Sequence, residues 1–370
     1  MTGGRPLRVL VIGGYGNFGS YIARSLAPDP NIQLLIGGRS ARRAAAFVAE
    51  LAAANTAEPC AVDIDRDIAA QLAALRPDLV IHTTGPFQRQ GYQVARAAMA
   101  CGASYCDLAD ARAFVAGIGV LDPEAKAAGV AVIAGASSVP CLSAAIIDRY
   151  LPEFAALTSV HYGISAAQQT NRGLATTTAI LSYVGRPFSA WRDGKPFRVF
   201  GWQGLHRVRY PELGNRLFGD CDIPDLELFP GRYPTLKELR FAAGHEIALL
   251  HLGTWALSWL VRLRAIRHLE RYAETLLKLA FRFDRLGSGR SGMHMILDGN
   301  GKDGCPHRQR FFLLARSGHG PYIPCMPAIL IARRLARGEA IAPGARPCLD
   351  LIDLEEYLGA LQGLDIEVVA

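Results

Sequence analysis

The eight cysteines of this chain include no Cys-x-x-Cys pair and no cysteine–histidine cluster at metal-finger spacing. That excludes a zinc-finger scaffold and a disulfide framework. The thiols are expected to be reduced, and no metal site is expected. A secretory leader is also missing: MTGGRPLRVLVIGG passes from one basic patch into a short apolar run ending in glycines, with neither a long apolar region nor a cleavage site. A cytoplasmic location is the expectation. The longest apolar stretch, Ile247 to Val261, contains His251, Thr254 and Ser258. It falls short of the roughly 20 residues that span a bilayer. No internal repeat or low-complexity tract occurs. Charge of one sign is scarce as well: 40 basic against 33 acidic residues leave +7 over 370 positions, without the dense stripe that binds phosphate backbones. Nucleic acid is therefore not an expected partner, although the excess can help attract a polyanionic cofactor. What the chain does have is apolar content, half of its residues against 20% charged. This excludes a disordered, collagen-like or coiled-coil chain and leaves a globular one.

Leu7 to Gly13 is a short β-branched run ending in glycine, and Asn17 to Leu26 then shows helical spacing at Phe18, Ile22 and Leu26. The alternation continues with strands at 32–36, 60–62, 79–82, 104–108 and 130–134, separated by helical segments at 40–53, 66–75, 90–101 and 110–128. Strands and helices at this spacing predict an α/β fold, a doubly wound parallel (Rossmann) sheet covered on both faces, over residues 1–140. A second, mixed α/β domain is expected over 141–340, with 341–370 packing back on the two domains. In the second domain, 159–165 reads as a strand and 174–184 as a helix. Residues 293–297 and 310–315 read as a hairpin whose turn lies in the Asp-Gly and Asn-Gly steps of DGNGKDG. Residues 246–284 read as a helical pair.

The strongest motif is Gly13-Gly14-Tyr15-Gly16-Asn17-Phe18-Gly19, a GxGxxG between the first strand and the first helix. In that context it is a dinucleotide-binding turn. Gly14 is expected to permit the tight turn, Gly16 to leave room for a pyrophosphate, and Gly19 to let helix and strand pack closely. An NAD enzyme usually places a carboxylate about 20 residues further on to hold the ribose 2′-OH, whereas this chain has Ile36-Gly37-Gly38-Arg39-Ser40. A guanidinium and a hydroxyl there suit a 2′-phosphate, with Arg42 or Arg43 adding charge, so NADP is the expected cofactor. The bland alternative is that Ser40 is an N-cap and Arg39 a solvated loop residue. Asp63 after the third strand is a candidate for the adenine edge. Thr83, Thr84 and Gly85 after the fourth are candidates for the nicotinamide half.

The glycine turn, TGPFQRQGYQVARAAMACGASYCDLADA (84–111) and GASSVPCLSAAIID (135–148) together resemble the saccharopine dehydrogenase-like oxidoreductases. So do SGHGPYIPCMPAILIARRLARGE (317–339) and PGARPCLDLIDLEEYL (343–358). The resemblance implies an NADP-dependent oxidoreductase that moves a hydride to or from a C=N, C=O or conjugated C=C of a small metabolite. Where that family has Tyr-x-Asp followed by Gly-Glu, this chain has Tyr105-Cys106-Asp107-Leu108-Ala109-Asp110, a match only as far as Asp107.

Because the hydride comes from the cofactor, few protein groups are needed. Asp107, at the end of the fifth strand, is a candidate catalytic carboxylate or else a loop cap. His161 is a candidate acid or else a structural histidine, and strand alternation sends it and Tyr162 to opposite faces. Arg172 is a candidate for a substrate carboxylate or else a surface arginine. Ser137-Ser138 lacks the GxSxG elbow of a hydrolase. The near-continuous apolarity of 247–261 predicts a helix packed inside protein, burying Trp255, Trp259 and Leu260, with a homodimer supplying part of the cover. An interfacial, membrane-associated helix is the less favoured expectation. The rival to catalysis is a non-catalytic NADP-binding protein with a redox-sensing or membrane-peripheral role.

Overall fold

A computed structural model of the chain describes residues 5–170 and 172–370. Met1 to Gly4, which open the N-terminal reading, and Asn171, from the Thr-Asn-Arg-Gly reading, lie outside them. The chain forms two compact units, one of residues up to Leu142 with Tyr322–Ala360, the other of Ser143–Pro321 with Leu361–Ala370.

In the first unit, six strands follow one another: β1 (Leu7–Ile12), β2 (Ile32–Gly38), β3 (Glu58–Ala61), β4 (Leu79–His82), β5 (Ser104–Asp107) and β6 (Ala131–Ala134). They form a parallel sheet in the order β6-β5-β4-β1-β2-β3. That is the doubly wound order whose chain reversal lies beside β1. Val9 to Ile12, Leu34 to Ile36 and Leu79 to Ile81 are enclosed, as strands covered on both faces must be. The fold class is thus the expected one. The sheet has one strand more than the sequence reading placed: Gly344–Pro347 pairs in parallel with β6. Residues 322–340, expected in the second domain, join the first unit, and 341–370 is divided between the two, 341–360 in the first and 361–370 in the second. Two helices matter for the site, α1 (Asn17–Leu26) and α2 (Ala41–Ala49).

The second unit is built on a mixed sheet. Its central strand Phe154–Ala166 pairs in parallel with Glu238–His245 and antiparallel with Ser291–Gly301. The hairpin of Ser291–Gly301 and Pro306–Ala315 is present, and of the expected Asp-Gly and Asn-Gly steps only Asp303-Gly304 lies in its turn. Asp298-Gly299 and Asn300-Gly301 lie inside the strand at register shifts, and the chain reverses over residues 302–305, where Gly304 takes φ +80°. Gly299 is there for close approach: a Cβ on it would sit 2.1 Å from the Ala156 carbonyl oxygen. The unassigned stretch 185–234 contains four strands and the helix Asp225–Arg232.

The helical pair consists of Ala248–Arg262 and Ala273–Phe281. Val261, Leu269 and Ala273 pack with Leu181, Val184 and Trp202. The expected burial of the first helix is half right. His251, Ser258 and Val261 are enclosed, but Trp259 and Leu260 are exposed and Trp255 is only half-buried. Among the described residues the outward side of the helix is left exposed at Leu249, Leu252, Trp259, Leu260 and Leu263.

Candidate cofactor site

The site grows from the end of β1. Gly13 takes φ +83°, and its amide and that of Gly14 donate to the Gly37 carbonyl at the end of β2. A Cβ at Gly13 would also lie 2.6 Å from Thr83 Oγ1. The left-handed turn residue is therefore Gly13, which the motif reading passed over, and not Gly14. Gly14 is glycine for packing, with a Cβ position 2.9 Å from the Val11 carbonyl oxygen. The signal for Gly13 was the Gly-Gly doublet itself, since only one of the two can carry the turn.

Gly19 holds the packing role expected of it, and Gly16 is open on one side. A Cβ on Gly19 would approach the Gly13 carbonyl oxygen to 2.2 Å, so α1 can start this close to β1 only without a side chain there. A Cβ on Gly16 would meet only the Gly13 carbonyl oxygen, at 3.0 Å, and otherwise faces open space. Gly16 is also the N-cap of α1 and offers no capping side chain. The amides opening α1, from Asn17 and Phe18 onward, form the positive end of the helix beside that space.

At the end of β2, Tyr15 organises the loop. Its ring lies over Gly38, where a Cβ would sit 2.5 Å from the ring, and its hydroxyl accepts the Ser40 amide at 3.0 Å. The Arg43 guanidinium stands 4.8 Å above the same ring, and the Arg43 amide donates to Ser40 Oγ, the N-cap of α2. Arg39, Arg42 and Arg43 are all exposed. Ser40 is thus a cap, in a loop and first helical turn that carry three exposed arginines. The role of Tyr15 and Gly38 was not legible in sequence, because a ring lying over a glycine 23 residues away leaves no local pattern.

Thr83 is brought onto the glycine turn, its amide and hydroxyl both donating to the Ile12 carbonyl at 3.0 and 2.8 Å. Thr84 Oγ1 lies 2.7 Å from His82 Nε2, and His82 Nδ1 lies 3.1 Å from the Tyr105 hydroxyl. This buried chain was not foreseen. Burial holds the His82 imidazole down at about 3, so the ring is neutral, and pushes the Tyr105 phenol well above its ordinary range. Gly85 follows, with the Phe87 ring 3.6 Å from where its Cβ would be.

The remaining candidates are engaged elsewhere. Asp63 ties its own loop, accepting the Asp65 amide and pairing with Arg66 at 3.4 Å, so it braces the turn after β3. Asp107 is fully enclosed, and one carboxylate oxygen accepts the amides of Ala109 at 3.0 Å and Gly135 at 2.8 Å. Burial raises it to about 6 against those two hydrogen bonds. Through that oxygen it fastens the end of β5 to the loop after β6, as a loop cap does, while the other carboxylate oxygen is buried without a hydrogen-bond partner. His161, in the other unit, sits 3.3 Å from Glu238 on a solvent-facing strand position. Burial lowers its pKa and Glu238 opposes the shift. Tyr162 takes the opposite face, as alternation requires, and donates to Asp225 at 2.6 Å. Arg172 pairs with Asp284 and lies 4.8 Å over the Phe281 ring, so its guanidinium is matched by a carboxylate of its own unit. Among the described residues no group of histidine, cysteine and carboxylate side chains could hold a metal ion.

A parallel sheet of this order, with a glycine turn at the reversal and arginines at the end of β2, is the nucleotide-binding unit of a nicotinamide-linked dehydrogenase or reductase. Residues 9–133 match the family model of the saccharopine dehydrogenase NADP-binding domain. NADP is its cofactor. The whole fold is similar to that of apo saccharopine dehydrogenase (L-Glu forming) from Saccharomyces cerevisiae, with a TM-score of 0.66 at 13% identity over 98% of this chain and 100% of that one. More distant is a mutant meso-DAP dehydrogenase from Clostridium tetani E88, at a TM-score of 0.47 and 15% identity over 95% and 96% of the two chains. Biliverdin reductase from Synechocystis is more distant again, at 0.43 and 13% over 96% of each. A comparison with curated proteins finds no match.

Proposed function

We propose that this chain is an NADP-dependent oxidoreductase that transfers a hydride to or from a C=N, C=O or conjugated C=C of a small metabolite. The observation that carries the reading is the pairing of open space above Gly16 with three exposed arginines and a serine cap at the end of β2. The amides opening α1 at Asn17 and Phe18 would hold the pyrophosphate, Arg39, Ser40 and Arg43 the 2′-phosphate, and Thr83 and Thr84 would flank the nicotinamide half. The cofactor supplies the hydride. A cytoplasmic location is part of the same proposal.

A second reading has its own support. Asp107, His161 and Arg172 are each engaged in structural contacts, which favours NADP binding without turnover. The two readings part on one experiment: NADPH oxidation by the purified protein across a panel of imines, ketones and enoyl compounds. Turnover of any panel member establishes the enzyme. Tight NADPH binding with no turnover across the panel establishes the binding protein.

The cofactor preference is tested separately. A charge-assisted contact to phosphate contributes roughly 1.5–3 kcal/mol, so Arg39→Ala should weaken NADPH about ten- to a hundredfold and leave NADH unchanged. Fluorescence titration of both cofactors reads this. Equal affinity for the two in the unmodified protein would overturn the assignment.

A further inference from the structure

The helix Ala248–Arg262 has an outward face that its own unit leaves bare. Leu249, Leu252, Ala256, Trp259, Leu260 and Leu263 recur at three- and four-residue steps along that face, with Leu249 63%, Leu260 42% and Leu263 72% exposed. The stripe is about 21 Å long. No charged residue falls between Glu246 and Arg262. A contiguous apolar strip of this kind on a folded chain marks a contact surface.

Charge says what the contact is. Residues 262–290 carry eight basic and three acidic side chains, a net +5 within a chain of net +7. All eight cations are exposed. The three acids already have basic partners: Glu270 with His268 at 3.1 Å, Glu274 with Lys278 at 2.7 Å, and Asp284 with Arg172. The basic run begins where the apolar stripe ends, at Arg262, whose guanidinium lies 4.9 Å over the Trp259 ring. A twofold-related copy seated on the stripe would set this positive segment against itself. A helix of 15 residues is too short to cross a bilayer, and no helix among the described residues is long and apolar enough to do so.

We propose that this face docks on an anionic membrane surface, with the helix lying in the interface plane. The leucines and Trp259 enter the headgroup and acyl boundary, and Arg264, Arg267 and Arg271 meet anionic headgroups. Two weak signals, apolar area and a basic patch, combine into reversible attachment of the kind that a single signal does not sustain.

Flotation of the purified full-length protein with two sets of vesicles tests this, one of phosphatidylcholine alone and one of phosphatidylcholine mixed with phosphatidylglycerol. Association with the mixed vesicles that weakens as salt is raised is the expected result. The triple change Arg264→Gln, Arg267→Gln, Arg271→Gln should reduce partitioning on the order of a hundredfold. The double change Leu260→Ser, Leu263→Ser should reduce it too. Both alter exposed positions, and unchanged circular dichroism confirms that the variants fold. Trp fluorescence should shift to the blue with the mixed vesicles. No association with either vesicle, or equal association with both, overturns the proposal. So does a dimer in light scattering that Leu260→Ser breaks apart, since a second copy would then own the stripe.

Discussion

Gly16→Val is expected to abolish NADPH binding in a chain that still folds. The Cβ position at Gly16 meets only the Gly13 carbonyl oxygen, at 3.0 Å, so the protein itself makes little use of that space. The branches of a valine would fill the volume a pyrophosphate must enter, and the affinity loss should be at least a hundredfold, about 3 kcal/mol. Gly19→Ala makes the contrast, because its Cβ would lie 2.2 Å from the Gly13 carbonyl oxygen and must displace backbone. That variant should lose stability along with binding, on the order of 2 kcal/mol or more. Cofactor titration and thermal melts of the two variants separate the effects. Undiminished NADPH affinity in folded Gly16→Val would remove the site.

Acid should unfold this protein well before its surface carboxylates titrate fully. His82, His251 and His294 are enclosed, and burial holds them down at about 3, 4 and 3. In the unfolded chain each titrates near 6.5. As pH falls through that value the unfolded chain binds protons that the fold refuses, so stability is lost progressively towards pH 4, about 3 kcal/mol per histidine. Asp107 and Asp225 act in the other direction. Burial raises them to about 6 and about 7, so their protonation on acidification relieves a cost carried at neutral pH. These three histidines outweigh the two carboxylates by on the order of 4 kcal/mol between pH 7 and pH 4, and His245, which burial likewise holds down at about 3, adds to the loss. That is a large share of the roughly 5–15 kcal/mol by which a native chain exceeds its unfolded state. Urea midpoints across this range, for the unmodified protein and for His82→Asn, measure it. The variant should show a flatter profile, and a midpoint independent of pH would contradict the account.

The legible parts of this molecule are those whose physics is local. Strands covered on both faces read as short apolar runs, so β1 to β6 stood out, whereas Gly344-Ala345-Arg346-Pro347 gives no such run and pairs with β6 only because the chain returns there. The glycine turn announced itself by its place between strand and helix. What it left undecided was which member of the Gly13-Gly14 doublet turns the chain, since that depends on Thr83 from another strand. Asp107 looked available because a carboxylate at a strand end faces the ligand side of such a sheet. Its engagement depends on the Gly135 amide, 28 residues away. Arg172 likewise meets Asp284 across 112 positions. Continuous apolarity in 247–261 was read as burial, and apolarity alone does not say whether protein or another phase supplies the cover.

The seventh strand also governs how this protein is made. The first unit looks finished by residue 142, yet one edge of its sheet is sealed only by Gly344–Pro347, and Tyr322–Ala360 belongs to the same body. During synthesis the β6 edge therefore waits, unpaired, until nearly the whole chain has left the ribosome. An open strand edge invites pairing with other nascent chains. A gene fragment ending after the first 142 residues would carry that open edge permanently and should aggregate. Fusing residues 322–360 behind it through a flexible linker restores the missing strand and should keep the fragment soluble.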